Sequence, residues 1–107
     1  MGGFERVARV EDVPAQGLLG VRLSDGRRVC LVNHDGEILA VSNICTHQEF
    51  AMSDGTLLPS GRIECAWHGA QFDCRTGAPR HYPAEEPLPV YTVRVRDGEI
   101  WVGERAQ

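Results

Sequence analysis

Polar and apolar residues alternate most cleanly near the end of the chain. Tyr91, Val93 and Val95 interleave with Thr92, Arg94 and Arg96, the period-two pattern of a strand with one buried face. Asp97-Gly98 then marks a hairpin turn into a further strand, Glu99–Val102. The N-terminal part reads the same way. Strands are expected at Phe4–Val10, Leu18–Leu23, Arg28–Val32 and Glu37–Val41, separated by the break Pro14–Gly17 and the turn signals Ser24-Asp25-Gly26 and Asp35-Gly36. Turn signals roughly ten residues apart predict an all-β fold, a small antiparallel sandwich or barrel, and leave no room for βαβ units.

Between Asn43 and Gly61 the alternation stops. This stretch is polar and punctuated by Gly and Pro, with one helical turn expected at Glu49–Met52. A long irregular loop inside a compact domain is usually functional or unordered. Short strands are expected to resume at Arg62–Glu64 and Ala70–Asp73, so residues 65–69 form a hairpin tip, closed further on by Thr76-Gly77. The Pro-rich run from His81 to Pro89 cannot be an interior strand.

The chemistry-bearing residues fall in these two irregular places. Cys45-Thr46-His47 and Cys65-Ala66-Trp67-His68 each offer one thiolate and one imidazole, with seventeen residues between His47 and Cys65. Residues two apart on extended backbone point to one side, so Cys45 and His47 can reach a common centre. Zinc accepts two Cys and two His, but its usual finger order is Cys-Cys followed by His-His. The order Cys-His then Cys-His suits a binuclear centre with unlike ends, two thiolates on one iron and two imidazoles on the other. A zinc-stabilised interaction module remains the competing reading, and colour separates the two.

Cys-x-His followed by Cys-x-x-His-Gly resembles the signature of the Rieske family, filled here by Cys45, His47, Cys65, His68 and Gly69. The resemblance implies one Rieske-type [2Fe–2S] cluster held by Cys45, His47, Cys65 and His68. It also implies a small antiparallel Rieske-type sandwich or barrel carrying a cluster-binding subdomain of two loops. Residues 1–107 are expected to form a single domain, with its scaffold at 1–43 and 84–107 and the cluster-binding part at 44–83. In this family a proline-bearing segment packs over the cluster as a third loop, and Pro83 is the candidate here.

Two ferric ions, two sulfides and two thiolates make an oxidised cluster formally neutral, and one electron leaves it singly negative. Neutral imidazoles in place of thiolates ease that reduction, within a family range of about −150 to +300 mV. High-potential relatives add a loop-bracing disulfide and two hydroxyl donors; the equivalent positions here are Phe50, Trp67, Ala70 and Phe72, so a potential near the low end is expected. Deprotonation of His47 and His68 in the oxidised state would make the potential depend on pH at alkaline values.

Short, low-potential Rieske proteins resemble the ferredoxin components of bacterial aromatic-ring-hydroxylating dioxygenase systems. That resemblance implies a one-electron shuttle with no catalysis of its own, between a flavin-containing NADH-dependent ferredoxin reductase and the terminal oxygenase component. His47 and His68 would form the electron exit, rimmed by Gln48, Glu49, Phe50, Trp67 and Pro83. The small subunit of an assimilatory nitrite reductase shares the fold but often has degenerate ligands, whereas all four are intact here.

Size and charge narrow the picture further. The chain has 107 residues and a net charge of −4 from eleven basic and fifteen acidic residues, which disfavours a nucleic-acid partner. No apolar run approaches the roughly twenty residues of a membrane span, and the first residues lack a secretory profile. A cytoplasmic monomer is therefore expected. An oxygenase would need a mononuclear iron on two further histidines and a carboxylate. Only His34 and His81 are left over, and both are expected to be solvated loop residues. Cys30 and Cys74 read as small buried apolar side chains.

Overall fold

The computed structural model describes residues 3–46, 50–66 and 69–106. Among the described residues, ten strands make two antiparallel sheets. β1 (Glu5–Arg9), β2 (Gly17–Arg22), β3 (Arg28–His34), β4 (Glu37–Ser42), β9 (Val90–Arg96) and β10 (Glu99–Arg105) form a six-stranded sheet in the order β1-β10-β9-β4-β3-β2. β5 (Thr56–Leu57), β6 (Arg62–Glu64), β7 (Gln71–Asp73) and β8 (Pro79–His81) form a smaller one in sequence order. The all-β, antiparallel expectation holds.

The large sheet curls until its edges meet. Glu5 on β1 accepts hydrogen bonds from the Ser24 backbone N–H at 3.0 Å and from its hydroxyl at 2.8 Å, just past the end of β2. Ala8, Leu23, Val29, Leu31, Ile38, Ala40, Ile100 and Val102 fill the space enclosed. The opposite face of β3 and β4 is also covered: Cys30, Val32 and Val41 pack with Leu57, Ile63, Phe72 and Cys74 of the smaller sheet. Burial on both faces explains why β3 reads as a continuous apolar run, Val29 to Val32, and not as an alternation.

Several boundaries differ from the sequence expectation. β1 stops at Arg9 because the Asp12 carboxylate takes the Arg9 backbone N–H at 2.9 Å and turns Val10–Asp12 into a 3-10 turn. β3 runs on to His34, which is buried rather than solvated: its Nδ1 lies 3.4 Å from the Gln16 amide nitrogen. Gly61, at φ +89, leaves room for that ring, since a Cβ there would sit 3.0 Å from His34 Nε2. His81 is exposed as expected, but it ends β8 rather than lying in a loop. The helical turn falls at Met52–Asp54, later than the 49–52 expected, and Glu49 lies outside the described residues.

Candidate metal centre

Two hairpins deliver the two cysteines in the same way. The first leaves β4 through Asn43, which is 6% exposed. Its backbone N–H donates to the Arg28 carbonyl at 2.9 Å, and its carbonyl accepts from the Met52 N–H at 2.8 Å. Its side-chain oxygen accepts from the Ser53 N–H, also at 2.8 Å. Gly20 on β2 makes space for this clamp, because a Cβ there would lie 2.8 Å from the Asn43 amide and 2.7 Å from the Ser53 hydroxyl. Ile44 then pairs with Ala51, and the Cys45 N–H donates to the Phe50 carbonyl at 3.0 Å.

The second hairpin repeats the closure. Glu64 pairs with Gln71, and the Cys65 N–H donates to the Ala70 carbonyl at 2.7 Å. Both cysteines thus bond to the carbonyl five residues on, so each sits at the base of a tight loop. Gly69 has φ +72, a left-handed conformation that a side chain would strain. Its place in the Cys-x-x-His-Gly motif therefore has a backbone reason.

Cys45 and Cys65 are 2% and 1% exposed and belong to one buried cluster with Met52, Ala70, Phe72 and Leu88. Among the described residues neither is joined in a disulfide. His47 and His68 lie outside the described residues, as do Gln48, Glu49 and Trp67. Among the described residues no group of three His, Cys, Asp or Glu side chains gathers into a further metal site. Two buried cysteines on matching loop bases in one apolar cluster are sulfur donors that fit an iron–sulfur cluster, with the imidazoles next in sequence.

The proline-bearing segment lies against this site. Tyr82-Pro83 is a cis peptide, and Pro83 is buried, so it belongs to the packing and not to an exposed rim. Thr46, between the two expected ligands of the first loop, donates its hydroxyl to the Glu86 carbonyl at 2.8 Å. Thr46, Pro83, Glu85 and Glu86 line one small cleft. Sequence reasoning passed over Thr46, since nothing local links it to a partner forty residues away.

The positions expected to set the potential are apolar where they are described. Ala70 and Phe72 are fully buried, and Phe50 is 43% exposed. Cys30 and Cys74 are buried free thiols; desolvation pushes Cys30 up to about 12 and Cys74 up to about 11, so both are protonated and inert at neutral pH.

The Rieske [2Fe-2S] domain model matches residues 3–92. This chain belongs to the Rieske [2Fe-2S] domain family. Its cofactor is accordingly a Rieske-type [2Fe–2S] cluster. It is 35% identical over 99 residues to the biphenyl dioxygenase ferredoxin subunit of Pseudomonas sp. (strain KKS102), covering 92% of this chain and 90% of that one. It is 36% identical over 92 residues to the ferredoxin component of the p-cumate 2,3-dioxygenase system of Pseudomonas putida, covering 86% and 78%.

Solved structures agree. The Sphingomonas yanoikuyae B1 ferredoxin superimposes with a TM-score of 0.88 at 30% identity, over 94% of this chain and 97% of that one. A chain from the complex of reduced oxygenase and oxidized ferredoxin in carbazole 1,9a-dioxygenase matches with a TM-score of 0.91 at 28% identity, over 100% and 99%. Among the described residues no helix is long and apolar enough to cross a membrane.

Proposed function

We propose that this Rieske protein carries single electrons to the terminal oxygenase of an aromatic-ring dioxygenase system and makes no substrate bond itself. Its electrons would come from a flavin-containing, NADH-dependent reductase, and it would work as a cytoplasmic monomer. The observation that carries the reading is the pair of buried cysteines, Cys45 and Cys65, on matching hairpins, in a domain whose relatives are named as dioxygenase ferredoxins.

In this reading Cys45, His47, Cys65 and His68 hold the cluster, and residues 44–83 are the cluster-binding part of a single domain. When bound, the cluster takes up and returns one electron. Cys45 and Cys65 grip it from loop bases fixed by backbone hydrogen bonds. Ala70 and Phe72 are buried and offer no hydroxyl, which supports a potential near the low end of the family range of about −150 to +300 mV.

The surface beside these loops suits brief docking. Ile44, Phe50 and Tyr82 are 39%, 43% and 77% exposed, on the first ligand loop and the proline-bearing segment. Glu85 and Glu86 are exposed next to them. Exposed apolar side chains and carboxylates on these two segments suit a partner surface that is apolar and bears basic residues.

Two measurements test the reading. The reduced protein should give the electron paramagnetic resonance spectrum of a mixed Cys/His [2Fe–2S] centre. Mixed with a dioxygenase reductase, its oxygenase and NADH, it should support product formation that stops when it is left out. A colourless protein containing zinc would overturn the proposal.

A further inference from the structure

We propose that Thr46 is a positioning residue that fastens the 82–89 segment across the first ligand loop and so sets how far water reaches the cluster. The inference rests on Cys45 and His47 being cluster ligands, as proposed above.

Thr46 is half-buried between those two residues, and the backbone on its N-terminal side is fixed by the bond from Cys45 N–H to the Phe50 carbonyl. Its hydroxyl donates to the backbone carbonyl of Glu86 at 2.8 Å. The 82–89 segment is pinned at both ends. Near its start the Ala84 N–H bonds the His81 carbonyl at 3.0 Å, and Pro83 is buried. Near its end the Leu88 N–H bonds the Gly77 carbonyl at 2.8 Å, and the Pro89 carbonyl accepts from Ser42 N–H at 2.9 Å. Glu85, Glu86 and Pro87 bow outward between these anchors and are exposed. The Thr46 hydroxyl therefore takes hold of the segment at the middle of its exposed span, from the one residue flanked on both sides by expected ligands.

The consequence is electrostatic as well as mechanical. Reduction adds one negative charge, and water stabilises the more charged state. A segment that lifts away from the loop would let water closer and raise the potential. A neutral hydrogen bond of this type contributes about 1 kcal/mol, about a fivefold factor in an opening equilibrium.

Thr46→Val keeps the shape and removes the donor, whereas Thr46→Ser keeps the donor. In Thr46→Val we expect amide exchange at Glu85 and Glu86 and release of iron to a chelator to quicken about fivefold, with an upward shift in potential. Thr46→Ser should restore all three. A Val variant that cannot be loaded, beside a Ser variant that can, also supports the assignment. Wild-type exchange, chelation and potential in a coloured Thr46→Val protein overturn it, as does failure of both variants to load. A wild-type protein lacking iron–sulfur absorbance would already have refuted the cluster reading and this inference with it.

Discussion

Gly55 lies where the Cys45 loop hands over to the second hairpin, and replacing it with alanine isolates a single contact. Its φ of −88° and ψ of −153° are extended and open to any residue, so the backbone itself gives no penalty. A Cβ there would stand 2.1 Å from the Glu64 carbonyl oxygen. An ordinary carbon–oxygen approach is about 3.3 Å, so the strands must part by roughly 1.2 Å. That carbonyl is main chain, in the β5–β6 pairing of Thr56 with Glu64, and cannot swing aside as a flexible side chain would. Overpacking of this kind costs about 1–3 kcal/mol, and alanine recovers about 0.4–1 kcal/mol through the less flexible unfolded chain.

With so rigid a neighbour the net loss should fall near the upper part of that difference, about 2 kcal/mol. If the contact forms late in folding, this is about a 30-fold faster unfolding rate. The comparison is Gly36→Ala, where a Cβ meets nothing within 4 Å and only the φ of +84 is penalised. That left-handed strain costs about 1 kcal/mol. Unfolding in fixed urea, followed by loss of the cluster's visible absorbance, gives both rates. Because Glu64 precedes Cys65, the Gly55 variant should also show altered visible and paramagnetic spectra while the Gly36 variant does not. Equal rates and unchanged spectra in the two variants would refute the reasoning.

Installing the missing hydroxyls with Ala70→Ser and Phe72→Tyr should raise the reduction potential in a redox titration, because donors beside the cluster stabilise its more negative state; an unchanged potential would contradict the account of the apolar pocket. Charge reversal at the exposed Glu85 and Glu86 to Lys should lower kcat/KM for electron delivery about tenfold at low ionic strength, with the deficit shrinking as salt is added. The Cys30 thiol, pushed up to about 12 in the folded chain from 9.0, keeps its proton where the unfolded chain has lost it. Its contribution is thus intact below pH 9 and lost as pH rises toward 12, at about 1.4 kcal/mol per pH unit, and Cys30→Ala should flatten that part of a stability–pH curve.

Local pattern carried the all-β class and most strands of the large sheet, and it failed where the determining contact was distant. β6 was legible to the residue at Arg62–Glu64, since Gly61 and Cys65 bracket an alternating triplet. β5, two residues long, and β8, which begins at Pro79 on the sheet edge, were not, because such edge strands carry little pattern of their own. His34 was misread as a loop residue, although it continues the face of Cys30 and Val32 by steps of two. That signal was present, outweighed by the adjoining Asp35-Gly36 turn. Asn43, Ser53 and Gly20 form the clamp beneath the Cys45 loop from three separate stretches of chain, and no local rule joins them. Pro83 is buried and not on an exposed rim, since sequence gives no direction for a proline face.

The central pair β3 and β4 ties these observations together. Leu31 and Ala40 look into the curled sheet, while Val32 and Val41 look toward the smaller one, so one wall serves two cores. A wall packed on both sides cannot shift toward either without opening a cavity on the other, at a cost of several kcal/mol. β4 leads directly into Asn43 and the Cys45 loop, and Ile63 and Phe72 seat the Cys65 hairpin on the same wall. Both thiol-bearing loops therefore spring from one stiff support, while Phe50 and Tyr82 on their outer surface remain exposed. A carrier that changes charge by one unit at each encounter gains from this division. Rigid seating would hold Cys45 and Cys65 in place through each change of charge, while the exposed surface is left for a partner.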